Sequence, residues 1–530
     1  MELISGSLFC RFLLGAWAIL CRFSTRVWEG FWALCGESAV GRGLAYLCGV
    51  WKNWWHGSVL VGFFLEREGV LSRSWAGSLT CRGLNWLINL PANLLHWLYK
   101  KWQDIFEDSF FARLAFEMGD SVPVAVGWFM LLIMNIPYER WSNSYSLLGY
   151  ILLFMLTVAG GMRRSDLRVD TAPMGPYVIG FFLAVCLSLP LSLYPGLSFR
   201  YLFFHISCIL CLCVVVGTVE RSDQLERLAA FGCLGMTGTA VYAVWQRIQG
   251  VEVNASYVDM TLNAGMPGRV YSFYSNPNSY GAFLLVLIPI SMALLFGAKK
   301  ARYRLVGLVS GALGTLALIM TYSRTSWVGL AVAAVVFLFL WDRRLLPVCL
   351  VVAVAAIPVL PDTIINRIRT IFNPNDTSTS SRFPLFRAAL DTIRAHPAAG
   401  AGLGGDAVRQ VVKDLNVYHE YAPFTHSHNI YLQLWLEHGF LGVAAFAAGM
   451  LHLLKKGAHG VVSKEGDRSA RMLAIGGVSS VAGALVYGLA DYMFNFPRVM
   501  LVFWFVVALT ISAVRLSARS AERKLSEKKN

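Results

Sequence analysis

The stretch GRVYSFYSNPNSYGAFLLVLIPISMALLFGAKK, residues 268–300, decides the fold class of this chain. A polar turn containing Asn, Pro and Ser precedes an apolar run at 279–297, and two lysines follow that run. An apolar run of about 17–25 residues is long enough to cross a lipid bilayer as a helix. Asn and Pro have local hydrogen-bonding and steric reasons to stand at the start of a helix. The stretch therefore predicts a transmembrane helix that begins at a polar turn.

Twelve apolar runs of this kind follow one another from residue 122 onward. The chain of 530 residues is 56% hydrophobic and 15% charged, whereas a soluble domain is about 25% charged. We therefore predict an all-α, polytopic membrane protein with about 12 transmembrane helices. The predicted spans lie near 122–138, 145–162, 174–194, 199–219, 228–247, 279–297, 303–321, 326–341, 345–360, 428–453, 470–490 and 498–516.

The loops between the predicted spans alternate between two classes of charge. One class holds sixteen Lys and Arg residues in the loops 162–168, 220–227, 299–304, 342–344 and 455–471, whereas the four short loops of the other class hold four. Cytoplasmic loops carry the excess of Lys and Arg, so the basic class is predicted to be cytoplasmic. The two long segments 248–278 and 361–427 then lie outside. A transmembrane domain at 121–516 is followed by a basic cytoplasmic tail at 517–530.

Residues 1–120 differ from the rest, because basic residues break their apolar runs and tryptophan is abundant. Indole rings are enriched at membrane–water interfaces. We interpret this part as interfacial amphipathic helices on the cytoplasmic face, with one or two additional spans as the alternative.

The net charge of +15 raises the question of a nucleic-acid partner. Most basic residues stand in short loops between apolar runs, so topology and lipid headgroups explain them better. We expect membrane lipids as partners and no nucleic acid.

Cys208 and Cys211 have CxxC spacing, but they lie in an apolar run without polar ligands. Buried thiols are therefore predicted there rather than a metal or redox site.

Three basic residues at the outer ends of spans form the candidate site: Arg269, Arg324 and His428. A charge at this depth is costly unless it snorkels to the interface or lines a polar cavity. The simpler interpretation is two interfacial arginines and one structural histidine. A basic cluster outside, away from the cytoplasmic ATP pool, favours a site for an anionic, lipid-linked substrate.

The outer segment at 361–427 carries two further patterns. Arg387, Asp391 and Arg394 fall at helical spacing, which predicts an amphipathic surface helix that ends at a Pro/Gly turn. His426 and His428 have the spacing of a zinc pair, but the sequence shows no matching third ligand. No metal site is predicted.

Four elements in order resemble the O-antigen ligase / O-antigen polymerase superfamily of integral-membrane glycosyltransferases. The resemblance covers roughly residues 120–515, and its last element fits the ligase-type pattern of His, then Asn/Ser/Gln, nine residues, Gly, two residues and Gly/Thr/Tyr. The elements are the Arg269 turn with SNPNSYG, YSRTSW at 322–327, HPAAGAGLGGD at 396–406, and HNIYLQLWLEHGFLG, in which the pattern falls on His428, Asn429, Gly439 and Gly442.

The resemblance implies a glycosyltransferase-C-like fold in the bacterial inner membrane and an active site that faces the periplasm. It implies metal-independent, inverting transfer of a glycan from undecaprenyl diphosphate, without a cofactor. Arg269 and Arg324 would hold the donor diphosphate in place of a divalent metal. His428 would act as general base toward the acceptor hydroxyl or, when protonated, contact the diphosphate. Further substrate contacts are expected from Asn429, Tyr274, Asn276, Tyr322 and His426.

The ligase-type spacing favours a ligase that joins the glycan to lipid A–core oligosaccharide. The alternatives are a polymerase of the same superfamily, acting on another lipid-linked glycan, and a protein O-oligosaccharyltransferase acting on Ser or Thr. A transporter or flippase would carry buried charges along a pathway. Here the ionisable residues crowd the outer ends of the spans, which favours an enzyme.

Overall fold

The computed structural model describes residues 69–529 apart from 165–167, 254–264, 374–379 and 463–465, together with residues 22–30 and isolated positions before residue 51. Within these residues the chain forms helices and turns and no strand, so the all-α prediction is confirmed. The described α-helices beyond residue 69 are α1 Val70–Trp75, α2 Leu79–Lys101, α3 Gln103–Asp108, α4 Phe110–Asp120, α5 Val122–Met134, α6 Asn143–Arg163, α7 Gly175–Ser188, α8 Pro195–Thr218, α9 Ser222–Gln249, α10 Pro277–Gly297, α11 Ala301–Met320, α12 Arg324–Asp342, α13 Leu345–Ala356, α14 Asp362–Arg369, α15 Arg382–Ala395, α16 Gly405–Asp414, α17 Ile430–Val462, α18 Arg468–Tyr487 and α19 Pro497–Lys529.

Nine of the described helices are long and apolar enough to cross a membrane, which confirms a polytopic membrane protein. Two bent pairs, α4 with α5 and α13 with α14, raise the number to eleven if each pair is one span. Each of the twelve expected runs coincides with a helix, but the run near 174–194 forms only the short apolar helix Ala172–Ser188. Pro190 follows two residues after the end of this helix, and a proline has no backbone N–H with which to continue the helical hydrogen bonds. By length and composition, the described residues thus contain nine to eleven candidate spans, close to the expected count of about 12.

The centre of the bundle is formed by α10, α18 and α19, whose side chains are largely buried. Helices pack most closely at glycines: a Cβ on Gly483 of α18 would lie 2.5 Å from the carbonyl oxygen of Gly329 in α12. A Cβ on Gly476 would likewise lie 2.7 Å from the carbonyl oxygen of Pro289 in α10. Small residues at helix contacts let backbones approach, which is how membrane helices associate when water does not drive them together.

The described part of the N-terminal segment packs beside the bundle. Helix α2 lies against α6, and Asn89 in α2 donates to the carbonyl oxygen of Val169 at 2.8 Å. Trp86, Leu90 and Trp97 on the same helix remain exposed. An exposed apolar and aromatic face beside membrane-spanning helices agrees with the expected interfacial location, which stays a prediction. Most of residues 1–68 lie outside the described part.

The long segments 248–278 and 361–427 meet at one end of the bundle, here called the loop-rich end; the opposite end is the basic-loop end. The segment after α13 forms the short helices α14, α15 and α16, so the expected amphipathic helix through Arg387 is confirmed. The turn after α15 packs on a break in α17 at Gly439, where φ is 65°. The N–H of Ala401 donates to the carbonyl oxygen of Leu436 at 2.6 Å, and the N–H of Phe440 donates to that of Pro397 at 3.2 Å. This contact fixes the loops above the start of α17.

Candidate active site

Arg269 lies buried at the loop-rich end, with 7% of its surface exposed. Its Nε donates to the carbonyl oxygen of Thr321 at 2.7 Å, and its guanidinium also donates to Oδ1 of Asn278. Burial, together with the positive charges of Arg367 and Arg324, lowers the pKa of Arg269 to about 9. The group is still protonated at neutral pH, so three guanidinium groups share one largely enclosed region. Such a cluster attracts an anion with several oxygen atoms.

Arg324 and Arg367 are held in the cluster by backbone oxygens. Arg324 is half-buried at the start of α12, and its Nη1 donates to the carbonyl oxygen of Thr370 at 2.7 Å. Arg367 is 3% exposed, and its Nε donates to the carbonyl oxygen of Tyr322 at 3.2 Å. Helix α14 thus brings a third arginine to the two that were predicted. Sequence reasoning missed Arg367, because it lies in a polar loop helix rather than at a span end.

Three residues at the site hold a left-handed backbone without being glycine. Ser272, Tyr322 and His428 have φ values of 51°, 50° and 47°. Each residue lies in one of the turns singled out in the sequence, after Arg269, before Arg324 and before α17. Non-glycine residues with positive φ are uncommon and cost free energy, and they cluster where surrounding structure enforces a functional geometry. The three turns are therefore fixed by their tertiary contacts.

His428 forms a dyad with a buried carboxylate, Asp491. Nδ1 of His428 lies 3.0 Å from Oδ1 of Asp491, which is 5% exposed. Burial by itself would raise the pKa of the Asp491 carboxyl, but its contacts with His426 and His428 hold that pKa well below the ordinary value. An ionised carboxylate only accepts hydrogen bonds, so Nδ1 of His428 carries the proton. The lone pair of Nε2 is then available to accept a proton from a substrate.

A chain of side chains connects the dyad to the arginine cluster. The Tyr487 hydroxyl donates to Oδ2 of Asp491 at 2.9 Å and also lies 3.3 Å from the carbonyl oxygen of Asn278. Oδ1 of the same asparagine accepts from Arg269. The structure therefore brings together Arg269, Arg324 and His428, the three residues selected from the sequence. Asp491 contacts both Tyr487, on the side of the arginine cluster, and His428.

The other predicted contact residues have identifiable structural partners. Oδ1 of Asn276 caps α10 by accepting from the N–H of Asn278 at 2.7 Å, and Oδ1 of Asn429 accepts from the N–H groups of Tyr431 and Leu432. Tyr322 supplies the backbone oxygen that holds Arg367. These contacts shape the site, and substrate contacts by the three side chains stay predictions.

Tyr274 and His426 are both buried. The guanidinium carbon of Arg498 lies 4.1 Å from the centroid of the Tyr274 ring. Burial raises the pKa of the Tyr274 hydroxyl above the ordinary value. The His426 ring lies 4.1 Å from that of His428, and burial lowers its pKa, so the ring is neutral at pH 7. Of these two, His426 is the one that borders the dyad.

The expectation that His426 and His428 lack a third metal ligand is wrong. Their ring nitrogens and a carboxylate oxygen of Asp491 lie within 4.8 Å of one another and could hold a metal ion. A second such group is His205, Glu437 and His438. Asp491 was missed because it is 63 residues away from His428, although an acid at the end of a span is the same signal that selected Arg324. Cys208 and Cys211 are buried free thiols, as predicted.

A cavity of about 450 Å³ lies beside the dyad, next to Tyr492, which follows Asp491 in the chain. Tyr492 forms part of its wall; its ring lies 6.1 Å from that of His426, and its hydroxyl donates to Glu437 at 3.0 Å. Aromatic side chains and polar groups share the lining. The lining includes Asn143, Tyr201, Phe204, Glu437, Tyr492 and Phe494.

Comparison with known proteins agrees with this geometry. A family described as O-antigen ligase matches residues 309–447, which include Arg324, Arg367 and His428. This match supports a resemblance of the chain to the O-antigen ligase superfamily. A relative in Acinetobacter baylyi (strain ATCC 33305 / BD413 / ADP1), the ComP-specific O-oligosaccharyltransferase, is 25% identical over 328 residues. The alignment covers 58% of this chain and 56% of the relative. This chain therefore spans about half of the relative's length.

The family match and the relative together support a glycosyltransferase-type membrane enzyme. The region of the chain that the family matches includes the loop helices α14 to α16 and the first half of α17. Those elements carry the left-handed turn at His428 and the helix break at Gly439. Arg324, Arg367 and His428 thus fall inside the matched region, whereas Arg269 and Asp491 lie outside it.

Proposed function

We propose that this chain transfers a glycan from undecaprenyl diphosphate to lipid A–core oligosaccharide on the periplasmic face of the inner membrane. The observation that supports the proposal is the series of contacts from Arg269 through Asn278, Tyr487 and Asp491 to His428. Each step is a hydrogen bond except the 3.3 Å contact between the Tyr487 hydroxyl and the Asn278 carbonyl oxygen. This series connects three arginines, which would bind an anion, with a histidine that would act as a general base. That combination suits displacement of a diphosphate by a hydroxyl group.

The arginines would bind the donor and stabilise its leaving group. Guanidinium groups bind phosphate oxygens in a bidentate manner. As the bond from the anomeric carbon to the diphosphate breaks, negative charge grows on the diphosphate, and the fixed positive charges of Arg269, Arg324 and Arg367 stabilise it. These residues would take the place of a divalent metal, so transfer is proposed to need none.

His428 would remove the proton from the acceptor hydroxyl. Its Nε2 lone pair accepts that proton while the hydroxyl oxygen attacks the anomeric carbon, and Asp491 stabilises the imidazolium that forms. Direct displacement inverts the configuration at that carbon. The acceptor would approach through the cavity beside Tyr492, because the Tyr492 ring lies 6.1 Å from that of His426, which borders the dyad.

The proposal is tested with the full chain in detergent, a lipid diphosphate-linked glycan and purified lipid A–core. The expected product is glycan attached to lipid A–core, with loss of activity in Arg269→Ala, Arg324→Ala and His428→Ala variants that retain their helical circular dichroism. Arg387→Ala is the matched control, because Arg387 is exposed on α15. Full activity in the three site variants would refute the assignment of the site. A lengthened carrier-linked glycan would identify a polymerase instead.

A protein acceptor is the second candidate. The relative in Acinetobacter baylyi is named as an oligosaccharyltransferase specific for ComP, and its alignment with this chain supports a related transfer to a protein hydroxyl. Glycan attached to a Ser- or Thr-containing protein, and none on lipid A–core, would select this alternative.

A further inference from the structure

A second cavity, of about 370 Å³, lies at the basic-loop end of the bundle, between α1 and the helices α17 and α19. From Pro497 to Arg515, α19 rises about 27 Å at about 1.5 Å per residue. The hydrocarbon core of a bilayer is about 30 Å thick. Arg515, which lines the cavity, therefore lies near the depth of the lipid headgroups on this side.

The charged part of the cavity is strongly basic. Four cationic side chains and one acidic side chain, Glu522, line it; the cationic residues are Arg73, Lys456, Arg515 and Arg519. Arg515 is held at the wall because its Nη2 donates to the carbonyl oxygen of Val219 at 2.6 Å. A concentration of positive charge at headgroup depth attracts anionic lipids.

Two buried donors in the lining lack a hydrogen-bond acceptor among the described residues. They are Nε of Arg515 and Nε1 of Trp75, whose side chain is 8% exposed at the end of α1. Buried donors without a partner are rare and destabilising in native proteins. Both groups donate only, so the missing partner is an acceptor, and the surrounding charges make it an anion.

The remaining lining is largely apolar, and its larger aliphatic side chains are buried within the protein. Leu453 of α17 and Ile511 and Val514 of α19 form this part of the wall. A site with guanidinium and indole donors beside aliphatic side chains matches a phosphate headgroup that is joined to acyl chains. A free phosphate ion would match only the polar half.

We propose that this cavity binds the phosphate group of an anionic membrane lipid, with the start of its acyl chains against Leu453, Ile511 and Val514. The lipid would also connect the N-terminal segment to the bundle, because α1 supplies Arg73 and Trp75. A hydrogen bond between Ser72 Oγ and Nε2 of His452, 3.3 Å apart, already holds α1 in this position. The site lies at the opposite end of the bundle from the arginine cluster and does not depend on the proposed transfer reaction.

Native mass spectrometry and thermal unfolding of the full chain in detergent test this proposal. The probes are phosphatidylglycerol, phosphatidylcholine with the same acyl chains, and inorganic phosphate. We expect saturable binding and stabilisation by phosphatidylglycerol only. Arg515→Gln and Arg519→Gln should each weaken that binding about fivefold, from about 1 kcal/mol per basic residue near the membrane surface. Arg343→Gln is the control, because Arg343 is exposed at the same end of the bundle outside the cavity.

Trp75→Phe separates the site from general surface charge, because it removes one hydrogen-bond donor and no charge. It should weaken phosphatidylglycerol binding about twofold to tenfold, as expected for one hydrogen bond. Equal binding of phosphatidylcholine, an equal loss in Arg343→Gln, or unchanged binding in both Arg519→Gln and Trp75→Phe would each overturn the proposal. Saturation by inorganic phosphate alone would overturn the assignment to a lipid.

Discussion

Asp491 is the residue on which the two candidate-site histidines converge. Its Oδ1 lies 3.0 Å from His428 and 3.8 Å from His426, and its Oδ2 accepts from Tyr487. A buried carboxylate that keeps its charge needs such partners, because its desolvation is costly. In return it fixes the tautomer and the orientation of the His428 ring. Its position makes Asp491 the residue whose loss best separates catalysis from donor binding.

We predict that Asp491→Asn lowers kcat by about 10²-fold to 10⁴-fold, the range of general-base contributions, with little change in donor affinity. The asparagine amide favours the wrong tautomer of His428 but leaves the arginines in place. Steady-state turnover and donor binding by the purified variant measure the two effects. Asp391→Asn is the control, since Asp391 pairs with Arg394 on the exposed face of α15. A parallel loss of donor affinity would contradict the separation of roles.

The lowered pKa of Asp491 also predicts how stability depends on pH. A carboxyl whose folded-state pKa lies below its ordinary value, about 3.9, contributes stability that is fully present above that value. The contribution is lost as the pH falls below about 4 and through the folded-state pKa. Asp491→Asn should therefore unfold at a lower temperature than the parent at pH 7, and the gap should narrow below pH 4. Thermal unfolding in detergent across this range measures the gap, and a constant gap would contradict the prediction.

The arginine cluster predicts that diphosphate stabilises the protein. An anion that binds the folded state raises its stability by about 2.7 kcal/mol at 100 times its Kd. Inorganic diphosphate should therefore raise the Tm of the parent chain, and Arg269→Gln, Arg324→Gln and Arg367→Gln should reduce that increase. Arg387→Gln should behave like the parent. An unchanged diphosphate response in all three cluster variants would place the anion elsewhere.

At the scale of elements, the break in α17 decides where the loops sit. Gly439 has φ 65°, a conformation that glycine adopts readily. A Cβ at this position would lie 1.9 Å from the carbonyl oxygen of Ala398 in the turn after α15. The ligase-type spacing between His428 and Gly439 therefore has a structural reason. It separates the left-handed turn that opens α17 from the point at which the outer loop packs onto that helix.

Gly439→Ala should destabilise the protein by about 1–3 kcal/mol from backbone strain, with the clash against Ala398 in addition. Gly196→Ala is the matched control, because a Cβ there meets nothing within 4 Å at the start of α8. The Tm of each variant in detergent, relative to the parent, gives the comparison. Similar Tm values for the two variants would show that the loop adjusts without cost.

At the scale of the whole molecule, the arrangement of charged loops predicts orientation. The basic loops carry sixteen Lys and Arg residues against four on the other side, which favours a cytoplasmic location for the basic-loop end. The loop-rich end, with the arginine cluster, would then face the periplasm. That orientation gives the site access to a lipid-linked donor on the outer leaflet.

Cysteine labelling tests this orientation. A membrane-impermeant maleimide should label Tyr421→Cys in intact spheroplasts, because Tyr421 is fully exposed in the loop before α17. Ser526→Cys, exposed near the end of α19, should be labelled only after the membrane is permeabilised. The parent chain, with its eleven cysteines, gives the background. The reverse pattern would invert the proposed topology.

The sequence by itself determined the membrane class, the all-α fold, nearly all the helices and the resemblance to the ligase superfamily. Apolar runs, capping turns and loop charges are local properties, and the bilayer converts them directly into spans. Arg269, Arg324 and His428 were found in the same way, because charged residues at span ends stand out. The expected number of spans exceeds the number found because of the run near 174–194. That run is apolar over more residues than its helix includes.

Only the tertiary structure decided what surrounds those three residues. Asp491 and Arg367 join the site from 63 residues after His428 and 43 residues after Arg324, through packing of α14 and α18 that no local pattern encodes. The zinc pair seemed to lack a third ligand for the same reason. Contacts between distant segments depend on how whole helices pack, and helix packing is set by many small contacts, such as Gly329 against Gly483, rather than by a short motif.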